Sequence, residues 1–173
     1  MAEQVSSEAT AAAALTAPVA TPPAPRWLQP DEQAVWRAFL DVSRLLFEQL
    51  NRQLSDESGM SLAEYEILVQ LSEAADRRLR MSELADRVVS SRSRITHTVG
   101  RMEERGLVHR EACVDDGRGV LCVLTDAGLA CLEAAAPGHV ETVRALVFDP
   151  LDPADVEDLG VALAKVREKL RGC

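Results

Sequence analysis

One arginine-rich segment of the chain could bind phosphate groups. Between Arg87 and Arg110 the sequence has six arginines and two acidic residues, so this segment carries a charge of +4. The whole 173-residue chain carries −9, which leaves −13 for all other residues. A short basic segment on an acidic body concentrates positive potential locally, where it can bind a polyanion. The distribution of charge therefore permits a nucleic-acid partner that the total charge alone argues against.

Small polar and basic side chains cluster at the start of a helical pattern in this segment. Ile95, Val99 and Met102 repeat at helical spacing and predict the inner face of the helix. Ser91 is a natural N-cap for it. The N-terminal half of the outer face has no acidic residue, and helix N-termini favour phosphate. The predicted DNA-binding residues of this helix are Ser91, Arg92, Ser93, Arg94, Thr96, His97 and Arg101.

The elements around this helix predict a winged helix-turn-helix fold. A short helical pattern from Met81 to Val88 precedes it, and Gly106 ends it. Residues 107–114 and 120–124 then alternate as two strands around a turn at 115–119, which indicates a hairpin. Two short helices followed by such a hairpin can place the second helix in a major groove. The predicted fold class is mainly α with a small β-hairpin wing, flanked by long N- and C-terminal dimerisation helices.

The flanking helices have clear sequence signals. An amphipathic helix is predicted from Asp31 to Ser55, and Ser61 with Glu64 forms a capping box for the next one. The last helix is predicted to begin at Asp152, before a proline at the first helical position. Its apolar residues follow a heptad spacing, which favours a subunit interface over packing within the monomer. They are Val156, Leu159, Leu163, Val166 and Leu170.

Residues 79–128 resemble the core of the MarR family of bacterial transcription regulators. Four motifs match in order: ELA at 83–85, MEERGL at 102–107, DGR at 116–118 and LTDAG at 124–128. The resemblance extends over residues 30–172. It implies a homodimer that binds pseudo-palindromic double-stranded promoter DNA, often as a repressor released by a small aromatic or phenolic ligand or by oxidation. Carried over by position, Asp116 would orient the wing and Arg118 would contact DNA.

The resemblance also implies a domain organisation. Residues 1–28 form an Ala/Pro-rich disordered tail by composition, and 29–173 form the winged-helix domain. Within it, the DNA-binding lobe covers about 61–124, and the dimerisation helices cover about 30–57 and 126–172. The ligand pocket of the family lies between these parts, so Trp36, Arg37 and Tyr65 are candidates by helix location. Core packing is the competing interpretation for the aromatic residues.

Two residues depart from the pattern of the family. Arg80 stands where a serine or threonine often caps the first DNA-binding helix. Val89 stands in the turn between the two helices, where glycine is common. Because a β-branched residue tolerates a positive φ poorly, the sequence predicts another conformation for this turn.

Cysteine and histidine spacing excludes several other classes of protein. Four cysteines and three histidines show no disulfide, zinc or catalytic pattern, so we expect no metal, no cofactor and no enzymatic activity. Cys113 and Cys122 flank the predicted wing tip and could face each other, which leaves a thiol-based redox sensor as an alternative. Strand cysteines are more often small hydrophobic residues.

No apolar run reaches the ~18 residues of a membrane span, and no basic residue precedes Arg26, so we expect a cytoplasmic protein.

A second alternative is a winged-helix protein-interaction module that does not bind DNA, as the net charge of −9 suggests. Salt dependence separates the two, because DNA binding through several arginines weakens steeply as salt rises. The sequence names neither the operator nor the effector.

Overall fold

The computed structural model describes residues 25–113 and 119–172. It confirms the predicted fold class, mainly α with a small antiparallel sheet. A 3-10 turn lies at Ala75–Arg77 and a π-helical turn at Arg144–Phe148. The elements in chain order are α1 (Pro30–Ser58), α2 (Leu62–Ser72), β1 (Arg78–Arg80), α3 (Met81–Arg87), α4 (Arg92–Glu104), β2 (Val108–Ala112), β3 (Val120–Leu124), α5 (Asp126–Val143) and α6 (Pro153–Arg171).

The described part of the chain divides into two units, which meet in sequence between Arg37 and Ala38. In the first unit, residues 25–29 are non-helical and exposed, and α1 begins at Pro30. The Gln29 main-chain N–H donates to Glu32 Oε2 at 2.8 Å, which satisfies an amide just before the helix. Most of the predicted tail, residues 1–24, lies outside the described residues.

The core of the second unit lies where α2, α3 and α4 pack around the sheet. Its buried side chains are mostly aliphatic and come from every element between the end of α1 and the middle of α5. Burying such a side chain stabilises the fold by roughly 1.5–3 kcal/mol. The largest fully buried side chains are Leu54, Met60, Ile67, Leu68, Leu71, Leu84, Val99, Met102, Val108 and Cys122.

Three predicted helix starts are confirmed with side-chain caps, and the start of α5 has such a cap as well. Ser61 and Asp152 each form a complete capping box. Ser91 Oγ accepts from the Arg94 amide at 3.3 Å, and Thr125 Oγ1 accepts from the Gly128 amide at 2.9 Å. Each cap satisfies an amide that would otherwise lack a partner at the helix N-terminus, so these side chains determine where the helices begin.

The sheet has three strands, in the order β1-β3-β2. The predicted hairpin strands are confirmed as β2 and β3. β1 was not predicted, because three residues with one apolar side chain, Leu79, are too few for an alternating pattern to be recognised. Leu79 is buried and lies opposite Cys122 on β3. β1 ends at Arg80, the residue before α3, so strand pairing holds the backbone where the family often has a capping side chain.

The prediction for the turn between α3 and α4 is wrong. Val89 has a φ of 49° in the left-handed region, and its side chain is 92% exposed. The neighbouring hydrogen bonds explain how this conformation is held, because the Ser90 amide donates to the Ala85 carbonyl at 2.9 Å. Such a conformation costs a β-branched residue about 1–3 kcal/mol. The backbone of the turn is therefore strained at Val89, whose side chain is almost fully exposed to solvent.

The predicted juxtaposition of Cys113 and Cys122 is also wrong. Cys122 lies opposite Arg110 in the β2–β3 register, whereas the Cys113 amide donates to the Gly119 carbonyl at 2.9 Å. Cys122 is fully buried, and burial raises the pKa of its thiol to about 12. A thiol in this state is not a reactive thiolate. The geometry therefore removes this pair as a basis for redox sensing.

The terminal helices differ from the lobe in their exposure. None of the α6 residues from Pro153 to Arg171 is buried, and α1 buries only Leu50 and Leu54. Among the α6 heptad residues Val156 is half-buried and the other four are exposed, which favours a subunit interface over packing within the monomer. None of the helices in residues 25–113 and 119–172 has the length and apolar character needed to cross a membrane.

Candidate nucleic-acid interface

Helix α4 has one buried face and one exposed polar face. Ile95, Val99 and Met102 are buried, and Thr98 is buried beside them. This face packs against α3, where Leu84 and Ala85 are buried. All seven residues predicted to bind DNA on this helix are exposed: Ser91, Arg92, Ser93, Arg94, Thr96, His97 and Arg101.

The N-terminal turn of α4 is suited to an anion. Ser91 Oγ caps the helix, and it also lies 3.3 Å from Ser93 Oγ. The first turn has no acidic residue. Thr96 Oγ1 donates to the Arg92 carbonyl at 2.8 Å, so this hydroxyl proton is used within the helix. No carboxylate of the first turn therefore competes with an anion for the positive end of the helix dipole and for its remaining amides.

The arginines of the basic segment fall into two groups. Three pair with carboxylates: Arg87 with Glu83 at 2.7 Å, Arg105 with Glu64 at 3.4 Å, and Arg110 with Glu103 at 2.5 Å. The other three, Arg92, Arg94 and Arg101, form no ion pair with any residue in the described part of the chain. All three unpaired arginines are exposed on α4. The positive charge that is not neutralised nearby is thus concentrated on one helix.

An ion pair connects the wing to α4. Arg110 on β2 donates to Glu103 through its main-chain N–H and its Nε, both at 2.8 Å, and through Nη2. These hydrogen bonds lower the pKa of the Glu103 carboxyl. The contact fixes the base of the wing against the end of the helix, a role that the sequence analysis missed for both residues. Their seven-residue spacing across a helix end was the available signal.

The tip of the predicted wing lies between the two described ranges of residues. The structure describes the hairpin as far as Cys113 and again from Gly119. Asp116 and Arg118 both lie outside the described residues. Their roles, orientation of the wing and contact with DNA, stay predictions.

The three predicted ligand-binding residues have different surroundings. Tyr65 is buried in the core, and its ring lies 4.3 Å from that of His139 between centroids. Trp36 is half exposed, and Arg37 Nη2 donates to Gln33 Oε1 at 3.5 Å on the same helix. Their role in ligand binding stays a prediction. The described residues contain no group of three or more His, Cys, Asp or Glu side chains suited to a metal ion.

An open cleft of about 350 Å³ lies between α1 and the end of α5. Most of its lining residues have polar or charged side chains, and one of them, Arg52, pairs with Glu48 at 2.8 Å. The cleft is lined by Gln49, Arg52, Gln53, Asp56, Glu57, Glu141, Thr142, Ala145 and Leu146.

Comparison with known proteins identifies the family. A sequence model of the MarR family matches residues 58–119. The chain is 34% identical over 110 residues to the HTH-type transcriptional repressor YetL of Bacillus subtilis, a match that covers 64% of this chain and 65% of YetL.

Two solved structures from Streptomyces coelicolor match more of the chain. The MarR family regulator Sco3205, solved in complex with DNA, is 46% identical with a TM-score of 0.81, over 84% of this chain and 92% of that one. AbsC, another MarR family regulator, is 45% identical with a TM-score of 0.81, over 86% of this chain and 100% of that one. These relatives are transcriptional regulators, not enzymes. The chain belongs to the MarR family of DNA-binding transcriptional regulators.

Proposed function

We propose that this protein is a homodimeric, sequence-specific repressor that binds pseudo-palindromic promoter DNA and is released by a small effector. The observation that carries the DNA-binding part is the group of unpaired arginines on α4. Arg92, Arg94 and Arg101 are exposed, while the other arginines of the basic segment pair with carboxylates. Arginine side chains on a recognition helix can contact both phosphates and guanine edges.

The exposed apolar residues of α6 support the dimer. Leu159, Leu163, Val166 and Leu170 are between 40% and 71% exposed, although their spacing is that of a helix-packing stripe. We call these four residues the α6 apolar stripe. On α1, Val42, Leu45 and Phe47 are similarly exposed. A two-fold dimer that buries these helices would place two copies of α4 in successive major grooves, about 34 Å apart.

The relatives support the proposed repression, and the cleft supports the proposed release by a small effector. YetL is described as a repressor, and Sco3205 was solved with DNA. The cleft between α1 and α5 offers space for a small effector next to a proposed dimerisation helix. None of Trp36, Arg37 and Tyr65 lines this cleft, and contact of each with a ligand stays a prediction from the family resemblance. A regulator that acts on bacterial promoter DNA works in the cytoplasm.

Binding measurements on selected DNA test the proposal. Duplexes selected by the wild-type protein from a random library should contain an inverted repeat, with protection over roughly 15–25 bp for two grooves about 10 bp apart. Arg94→Ala should lose about 1–3 kcal/mol of binding free energy on the selected site and less on a scrambled duplex. Arg118→Ala should weaken binding to both and reduce the slope of log K against log salt by about one.

The matched control is Arg144→Ala, which removes an exposed arginine paired with Asp149 at 3.1 Å, outside the lobe. Its affinity and salt slope should match the wild type. Failure to select any DNA, with weak salt dependence, would instead favour the protein-interaction module. Wild-type affinity and slope in both Arg94→Ala and Arg118→Ala would contradict the assigned contacts.

A further inference from the structure

Glu64 has a buried carboxylate, and each of its two oxygens accepts hydrogen bonds from a different residue. Its side chain is only 7% exposed. Oε2 accepts from the main-chain N–H and from the hydroxyl of Ser61, both at 2.8 Å, which forms the capping box of α2. Oε1 accepts from Arg105 Nη1 at 3.4 Å. A buried carboxylate requires such partners, because desolvation without them is costly.

Arg105 brings the end of the recognition helix to this carboxylate. It is the C-cap residue of α4, and its amide donates to the Arg101 carbonyl at 3.3 Å. The next residue, Gly106, turns the chain away with a φ of 71°. The Arg105 side chain therefore reaches α2 from the point where α4 ends, across 41 positions of sequence.

The same end of α2 is attached to α1. Asn51 Oδ1 accepts from the Leu62 amide at 3.0 Å, which satisfies another free amide at the start of α2. Thus α1, α2 and α4 meet through three polar contacts: Asn51 with Leu62, Ser61 with Glu64, and Glu64 with Arg105. We call this group the α2 junction. It connects a proposed dimerisation helix to the helix proposed to enter the DNA groove.

We propose that Glu64 is a positioning residue for DNA binding, which fixes the C-terminal end of α4 relative to α1 and so sets the separation of the two recognition helices in the dimer. The proposal rests on the proposed function. Because one base pair corresponds to about 3.4 Å along the duplex, a small displacement of α4 at the junction changes which half-site spacing fits. Loss of the contact between Glu64 and Arg105 should therefore widen the range of half-site spacings that the dimer accepts.

The test compares duplexes that carry the selected inverted repeat with its centre-to-centre spacing changed by −1, 0 or +1 bp. Glu64→Gln retains the capping box, since glutamine serves at this position as well as glutamate, but it removes the charge that attracts Arg105. Arg105→Met removes the other partner and leaves the capping box intact. The ratio of Kd values between altered and optimal spacing is measured for each protein by fluorescence anisotropy.

The two variants separate positioning from simple electrostatics. Glu64→Gln makes the protein less negative and Arg105→Met makes it more negative, so charge alone would raise the affinity of the first and lower that of the second at every spacing. Positioning predicts that both variants reduce the spacing ratio at least threefold. Glu48→Gln, which breaks an exposed pair with Arg52 within α1, is the control and should keep the wild-type ratio.

Thermal unfolding of each variant shows whether the fold is retained. If Glu64→Gln fails to fold, Arg105→Met decides the result, because its change lies outside the capping box. Wild-type spacing ratios in the folded variants would overturn the role of Glu64 while leaving the proposed function intact. A wild-type protein that selects no inverted repeat would overturn both.

Discussion

Apolar side chains of similar size have opposite surroundings in the DNA-binding lobe and on α6. Leu84 and Met102 are completely buried within the single chain, whereas Leu163 is 46% exposed and Leu170 is 71% exposed. Both regions show regular helical spacing, so spacing alone predicts that a face will be covered without indicating what covers it. In the lobe the burial stabilises one chain. On α6 the apolar side chains are exposed, and their burial in the proposed dimer would depend on protein concentration.

The largest expected effect comes from placing charge on the α6 apolar stripe. Leu163→Glu combined with Val166→Glu would bury four carboxylates in a dimer interface, at a cost of several kcal/mol for each unpaired ion. We expect a monomer by light scattering, with helical content largely retained. Arg167→Glu, a charge change at a polar position of the same helix, should stay dimeric. A stable, unchanged dimer in the double variant would show that α6 and the lobe do not differ as described.

A truncation in the lobe core should have the next largest effect. Met102→Ala removes a completely buried side chain from α4 and should lower the free energy of unfolding by about 2–5 kcal/mol. Because Met102 packs within its own chain, the loss in urea unfolding should be the same at protein concentrations about tenfold apart. A loss under about 1 kcal/mol would mean that the lobe core is less well packed than its burial indicates.

Relief of strain in the α3–α4 turn should have a smaller effect of opposite sign. Val89→Gly places glycine at a φ of 49°, where glycine has no steric penalty. We expect the free energy of unfolding to rise by about 1 kcal/mol, since the relief of strain exceeds the added entropy of the unfolded chain. Val88→Gly is the matched control, because Val88 has a φ of −89° and should lose stability on substitution. Equal losses in both variants would contradict the strained conformation.

The smallest effect concerns the pair of tilted rings formed by Tyr65 and His139. Burial lowers the pKa of His139 below its ordinary value of 6.5, so the unfolded chain takes up the proton first as the pH falls. Stability is therefore present above about pH 6.5 and decreases as the pH falls toward the folded-state pKa. Urea unfolding at pH 7.5 and 6.0 should show this decrease in the wild type and a smaller one in His139→Phe. A decrease of the same size in His139→Phe would contradict this role of the histidine.

Local signals allowed most of the lobe to be predicted. Ser61, Ser91 and Thr125 specify helix starts through contacts only three residues long, and such contacts can be identified in the sequence. The hairpin strands followed from alternation. Contacts between distant residues could not be predicted in this way. The pairing of Leu79 with Cys122 and of Glu64 with Arg105 depends on tertiary packing, and neither pair has a local pattern.

The residue types of the proposed DNA-binding site were predicted from the sequence, but the ion pairs of its arginines were not. All six arginines of the basic segment have the same appearance in the sequence, and only their tertiary partners separate Arg92, Arg94 and Arg101 from the rest. The conformation at Val89 was predicted wrongly because the preference of a single residue was given more weight than the hydrogen bonds of its neighbours. Propensity yields to tertiary context at such positions.

The pairing of β1 with β3 has a consequence for synthesis on the ribosome. The central strand of the sheet, β3, ends at Leu124, so the sheet can close only when the ribosome has passed that residue. At about 5–20 residues per second, the chain from Thr125 to Arg171 takes several seconds more. The residues of the recognition helix and of all three strands are therefore synthesised before those of α6. The apolar face of α6 is the last of these surfaces to leave the ribosome, and by then the lobe can already be folded.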